Sequence, residues 1–209
     1  MPEIRNYRAR HQVVIPRRDL AIDFANTVAY RGSKAEDSLL SFGDIAGWLS
    51  SANALPQATA EGLPKLFGAA RSDTAKVWAN AIALRETIYR LLHMTAAKLP
   101  LAPDDLKHLN EALSETPARS SLAYKEMGIG WAIEIKPSAS GILAPILWSA
   151  ADLLAGPDSK RVRECANPQC LWLFLDESKN GTRRWCSMQA CGNRAKAHRH
   201  YQRKKESGE

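Results

Sequence analysis

The four cysteines of the chain are Cys165, Cys170, Cys186 and Cys191, all within its last 45 residues. They form two pairs of identical internal spacing, C-x4-C, with fifteen residues between the pairs. Thiolates paired in a short, loop-rich stretch build a tetrahedral metal site, and four of them satisfy zinc with no other ligand. Such a site keeps no open position, so its metal holds the fold together and does not act as a Lewis acid. The pattern points to zinc as the cofactor and to a binding module instead of a catalyst. Two variants of the site stay open. His198 or His200 could replace one thiol, giving a set of three cysteines and one histidine. An iron–sulfur cluster could use four thiolates, although C-x4-C-x15-C-x4-C matches neither the bacterial nor the plant ferredoxin spacing.

Charge is as unevenly placed as the cysteines. Residues 160–209 hold twelve Lys and Arg against five Asp and Glu, while residues 1–159 hold seventeen of each. The whole excess of +7 therefore sits on the cysteine-bearing segment. A basic patch confined to one small module is the electrostatic footprint of a nucleic-acid binder, or of a solvated tail. Reduced thiols and metal ligation fit the cytoplasm. No signal-peptide pattern opens the chain. The uncharged, apolar stretch Pro137 to Ala151 falls short of the roughly 20 apolar residues that span a bilayer. The expectation is a cytoplasmic protein with no membrane partner.

Catalytic patterns are not legible. No Ser-His-Asp or Cys-His arrangement and no phosphate-binding glycine loop can be read, and His93 and His108 stand alone as ordinary helix residues. The sequence predicts no enzyme.

The elements that must position the cysteines are mostly helical. Residues 1–18, with Arg5, Arg8, Arg10, Arg17 and Arg18, read as a basic flexible arm. A helix is predicted over 19–30 from Leu20, Phe24 and Val28 at i, i+4, i+8. Its polar stripe, Asp23, Asn26, Thr27 and Tyr30, could hold a small effector near Trp48 or Trp148, or could cross-link neighbouring helices. Ser41 with Asp44 opens a second helix. Residues 53–72, interrupted by Pro56, Gly62, Pro64 and Gly68, read as loop or broken helix. A long helix over 73–98 buries Val77, Ala81, Leu84, Ile88, Leu91 and Leu92. Pro103, Asp104 and Asp105 start the next. Residues 120–136 alternate as a hairpin around Gly128 and Gly130. Residues 140–154 return to a core helix, and Gly156-Pro157 forms the linker. The fold class is mainly α: a helical domain over 19–157 with a small β-hairpin, then a four-cysteine zinc-binding module over 160–205 ending in a basic helix.

Within the module, Leu171–Asp176 is strand-like and Lys179-Asn180-Gly181 is a turn. Trp172, Phe174 and Trp185 are expected around the metal, with Ala195 and Tyr201 packing toward it. No breaker follows Gly192, so a helix is predicted. Lys196, Arg199, His200 and Arg203 share one face of it, wide enough to follow phosphates. So small a fold has no independent core, and metal binding must drive its folding.

Cys165-Ala-Asn-Pro-Gln-Cys170, Phe174-Leu-Asp176, Ser178, Arg183-Arg-Trp-Cys-Ser-Met188 and Cys191-Gly-Asn-Arg194 with Lys196 resemble the CGNR zinc finger. Leu20-Ala-Ile-Asp-Phe-Ala-Asn-Thr-Val28 resembles the start of the ABATE domain that precedes that finger. The resemblance implies a bacterial, stress-responsive transcription regulator, with Cys165, Cys170, Cys186 and Cys191 as zinc ligands. The finger would bind DNA, and the helical domain would sense an effector or oligomerise.

The functional expectation is a double-stranded DNA binder. Arg183, Arg184, Arg194, Lys196, Arg199 and Arg203 would meet phosphates, with one or two reaching base edges. A finger of this size reads little DNA alone, so a homodimer through the helical domain fits. Two other readings stand beside it: a zinc-stabilised protein-interaction module, and an RNA binder, which would expose aromatics for stacking.

Overall fold

The computed structural model describes residues 12–67, 71–125 and 128–207. Its architecture is mainly α, as the periodicity predicts. A short strand, β1 (Gln12–Val14), precedes the first helix, α1 (Leu20–Ala25), which buries Leu20, Ile22 and Phe24. Then come β2 (Val28–Ala29), β3 (Glu36–Asp37), α2 (Phe42–Ser51) and α3 (Gln57–Leu66). The long α4 (Arg71–Ala97) crosses the core, and α5 (Pro103–Glu115) begins at its proline. A hairpin, β4 (Leu122–Lys125) and β5 (Gly128–Ile133), precedes α6 (Ala139–Ile142) and α7 (Ala144–Ala155). The expected stripe of α4 is buried throughout, from Val77 to Leu92. Ser41 caps α2 by accepting a bond from the Asp44 amide at 3.2 Å, in the way the sequence foretells.

Four expectations are corrected. Residues 12–14, assigned to a flexible arm, are strand β1, paired antiparallel with β5. Two valines favour extended backbone, and Val14 is buried in the core, so the segment has a face to cover. Arg17 and Arg18 are also engaged, on Asp23 and on Asp158 and Glu177. The rest of the expected arm, 1–11, lies outside the described residues. The first helix stops at Ala25, five residues early. Asn26 leaves the helical path to bond elsewhere, and Thr27 Oγ1 donates back to the Phe24 carbonyl at 2.7 Å. The segment read as loop or broken helix holds α3, which carries Pro64 in its last turns. Burial of Ala60 and Leu63 outweighs the lost bond there. The single helix over 140–154 is two: Pro145, which has no amide hydrogen, falls at the first turn of α7 and restarts it.

The module does not stand apart. A 3-10 turn (Pro157–Arg161) leads into β6 (Val162–Glu164), which pairs antiparallel with β7 (Leu173–Leu175). Val162, Leu173 and Leu175 belong to the same buried cluster as α1, α4 and α7. The finger thus borrows its apolar support from the helical domain. Among the described residues no helix is long and apolar enough to cross a membrane.

Candidate metal centre and basic groove

Cys165 directly follows β6, and Cys170 closes a tight turn whose amide donates to the Asn167 carbonyl at 2.8 Å. Cys186 precedes a π-type turn (Met188–Gly192), capped by Ser187, that carries Cys191. The four sulfurs lie within 4.8 Å of one another. Cys170–Cys186 and Cys186–Cys191 are 3.7 and 3.8 Å apart. A tetrahedron with Zn–S near 2.3 Å has edges of about 3.8 Å, so these two edges match the ion. All four cysteines are free thiols, three of them buried. Burial pushes Cys170 up to about 11 and raises Cys186 further, and neighbouring thiolates add to both shifts. Burial would raise Cys191 too, but Asn167 Nδ2, donating to its sulfur at 3.5 Å, helps bring it below its ordinary value. Zinc held by the four cysteines would supply the missing charge, and no histidine joins the cluster among the described residues.

Trp172 and Trp185 pack on the sulfurs as expected. Phe174 does not; it is buried beneath the Arg183 guanidinium at 4.5 Å. Tyr201 is 67% exposed and is not among the residues packed on the sulfurs. Asp176 organises the long loop between the pairs. It accepts bonds from the Ser178 hydroxyl at 2.5 Å, the Ser178 amide at 3.0 Å and the Arg183 amide at 3.0 Å. The Ser178 hydroxyl chiefly holds its carboxyl below the usual range.

The second cysteine pair runs into α8 (Asn193–Ser207), the predicted basic helix. The six basic candidates do not act alike. Arg184, Arg194 and Arg199 line one groove of about 400 Å³ with His198, Asn167 and the Pro168-Gln169 turn. Lys196 and Arg203 lie on the same helix, outside the groove lining. Arg183 faces inward chemically: its Nε donates to the Trp185 carbonyl at 2.9 Å and Nη2 to the Cys186 carbonyl. Its donors brace the second cysteine loop. The side chain of His200 lies outside the described residues.

The docking of this centre on the helical domain was not legible in the sequence. Asn26 brackets the Leu173 backbone, accepting from its amide at 3.0 Å and donating to its carbonyl at 2.8 Å. Trp172 Nε1 donates to the Val28 carbonyl at 3.0 Å. His93 Nδ1 lies 2.5 Å from Glu164 Oε2, next to the first ligand. Tyr89 Oη reaches the same carboxylate at 3.4 Å and the Leu171 carbonyl at 3.3 Å. Burial and the Glu164 charge push the Tyr89 phenol up to about 12. Gly32 abuts the first knuckle so closely that a Cβ there would fall 1.8 Å from the Pro168 carbonyl oxygen. Polar residues on three separate elements converge here, and no local spacing signals that.

Two family models match the chain along these same boundaries. Residues 161–204 match the CGNR zinc finger. Residues 18–157 match the ABATE family, described as "Putative stress-induced transcription regulator". The chain belongs to the ABATE family. Its finger is a CGNR zinc finger, and the sulfur geometry agrees with zinc as its metal. No curated protein matches the chain. The ABATE match ends at residue 157 and the CGNR match begins at 161, so the 3-10 turn is the seam between them.

Proposed function

We propose that this ABATE protein is a zinc-dependent, double-stranded DNA-binding transcription regulator of a stress response, with no catalytic activity of its own. One observation carries the reading: Glu164, Asp176 and Glu177 of the finger are each engaged within the chain, while three of its arginines converge on one groove. Glu164 is engaged by His93 and Tyr89, Asp176 is 1% exposed and satisfied by Ser178 and Arg183, and Glu177 pairs with Arg18. Arg184, Arg194 and Arg199 are left converging on one groove, with Lys196 and Arg203 beyond it. A rigid concave cation patch suits a phosphate backbone. The helical domain would sense or dimerise, and a homodimer would supply the second reader that one small finger needs.

The test is selection from a randomised duplex DNA pool with the zinc-loaded chain near physiological salt. Enrichment of a motif that chelation abolishes is the expected result, and a palindromic motif would report a dimer. Salt-sensitive, sequence-blind binding would sink the reading in favour of a protein-interaction module. Arg184→Ala and Arg199→Ala should each flatten the log–log salt dependence by about 0.9 if each meets one phosphate. Arg183→Ala should act instead through the fold, because its donors hold the Trp185 and Cys186 carbonyls.

A further inference from the structure

A wide cleft lies at the seam between the helical domain and the finger. Its volume of about 750 Å³ is within the range of small-molecule sites. Two indoles line it, Trp48 from α2 and Trp172 from the finger, each half-buried. Among the described residues, three carboxylates line it too, Asp23, Glu36 and Asp37, against a single cation, Arg17. Trp148 is not part of it. It is buried elsewhere, bonded to Thr116.

The three carboxylates differ in how they are matched. Asp37 is fully committed: both its oxygens accept from Arg85 at 2.7 Å. Asp23 is held by Arg17, whose guanidinium reaches in from the segment after β1. Glu36 is exposed and forms no ion pair among the described residues. The cleft is therefore a negative site that already seats one guanidinium on Asp23. Burial holds the Asp23 carboxyl above its usual range despite Arg17. Indole faces attract cations and offer apolar area to their alkyl or aryl bodies.

We propose that this cleft binds a small organic cation, an alkyl- or arylammonium, seated on Asp23 and Glu36 with its apolar body against Trp48 and Trp172. The ammonium displaces the Arg17 guanidinium from Asp23. The ligand then touches both domains, because Trp172 also packs on the metal-binding sulfurs and Asn26, on the cleft wall, holds the Leu173 backbone. That is how occupancy would reach the finger. The assignment deepens the sensing half of the proposed function and rests on it. Amine binding is read without DNA, so failure here and failure of DNA recognition are separate results.

The experiment is isothermal titration of the zinc-loaded full chain with phenethylammonium chloride, and with sodium phenylacetate as the anion of matched shape, at one ionic strength. Saturable one-to-one binding of the amine is expected, with the acid weaker by at least about tenfold. Asp23→Asn should weaken the amine by about tenfold and Glu36→Gln by about threefold, while Arg17→Ala should tighten it. Should Asp23→Asn fail to fold, exposed Glu36 and Arg17 carry the test. Equal affinity for amine and acid, no saturable heat, or unchanged affinity in Glu36→Gln and Arg17→Ala would overturn the assignment.

Discussion

The helical domain and the finger solve the burial of charge in opposite ways. In the helical domain, buried cations are matched by carboxylates within the fold. Arg85, with a side chain only 3% exposed, holds Asp37 and Glu86. Arg31 bonds Glu86 at 2.7 Å and stacks on Tyr89 at 3.9 Å. The finger instead gathers four sulfurs with Arg194 near Cys170 and Cys191, too little charge for four thiolates, and depends on an ion from outside. Its apolar needs divide the same way: Val162, Leu173 and Leu175 lean on the domain core, while Cys165, Cys170 and Cys191 form a separate small cluster. Stability of the strand pair β6–β7 and stability of the cysteine loops should therefore be separable.

Removing zinc breaks that comparison most severely. Structural zinc contributes roughly 10 kcal/mol or more to small metal-dependent folds. Chelation, or Cys186→Ser, should erase hydrogen-exchange protection over residues 165–172 and 183–195. Val162, Leu173–Leu175 and α4 should keep theirs. Uniform loss across the chain would show that the finger and the domain fold as one unit.

Gly32→Ala attacks the seam itself. Its Cβ cannot coexist with the Pro168 carbonyl, so either the loop or the knuckle must shift. A loss of about 1–3 kcal/mol in denaturant unfolding is expected, the usual range for overpacking. A variant as stable as the parent would mean that the contact yields freely. Asn26→Ala should cost a similar or smaller amount, about 1–3 kcal/mol, by leaving the Leu173 amide and carbonyl without partners. Asn26→Asp should restore the bond from the amide but not the bond to the carbonyl, and should fall between the two.

The smallest effect concerns acid. Burial opposes ionisation of Asp37 and Glu86, but bonds from Arg85 and Arg31 outweigh it and hold both carboxyls below their ordinary values. Their contribution is fully present above the unfolded pKa, about 4, and is lost as pH falls through the lower folded values. Unfolding midpoints of the parent should drop below about pH 4, and Asp37→Asn should flatten that drop. A flat parent profile would mean that the ion pairs do not couple to folding.

Much of this molecule could be read from local pattern. The α4 stripe, the hairpin around Gly128, the Pro103 helix start and the metal ligands each depend on spacing within a few residues or on chemistry that four thiols share. Three of the four misreadings have one cause in common, the split at Pro145 being local. The short α1, strand β1 and helix α3 each answer to a distant surface, and a window of local periodicity contains no record of it.

By itself, then, the sequence determined the zinc ligands, the mainly helical class and the concentration of positive charge after residue 160. Those follow from residue type and near spacing, which the chain carries wherever it folds. Only the tertiary structure decided that Asn26, Trp172, Tyr89 and Gly32 bind the finger to the domain. It alone set Arg183 on backbone carbonyls while Arg184, Arg194 and Arg199 open onto a groove, and it alone enclosed a two-tryptophan cleft at the seam. The contacts that join finger to domain depend on which donor meets which acceptor across more than fifty residues of chain, and burial, not spacing, selects the pairs.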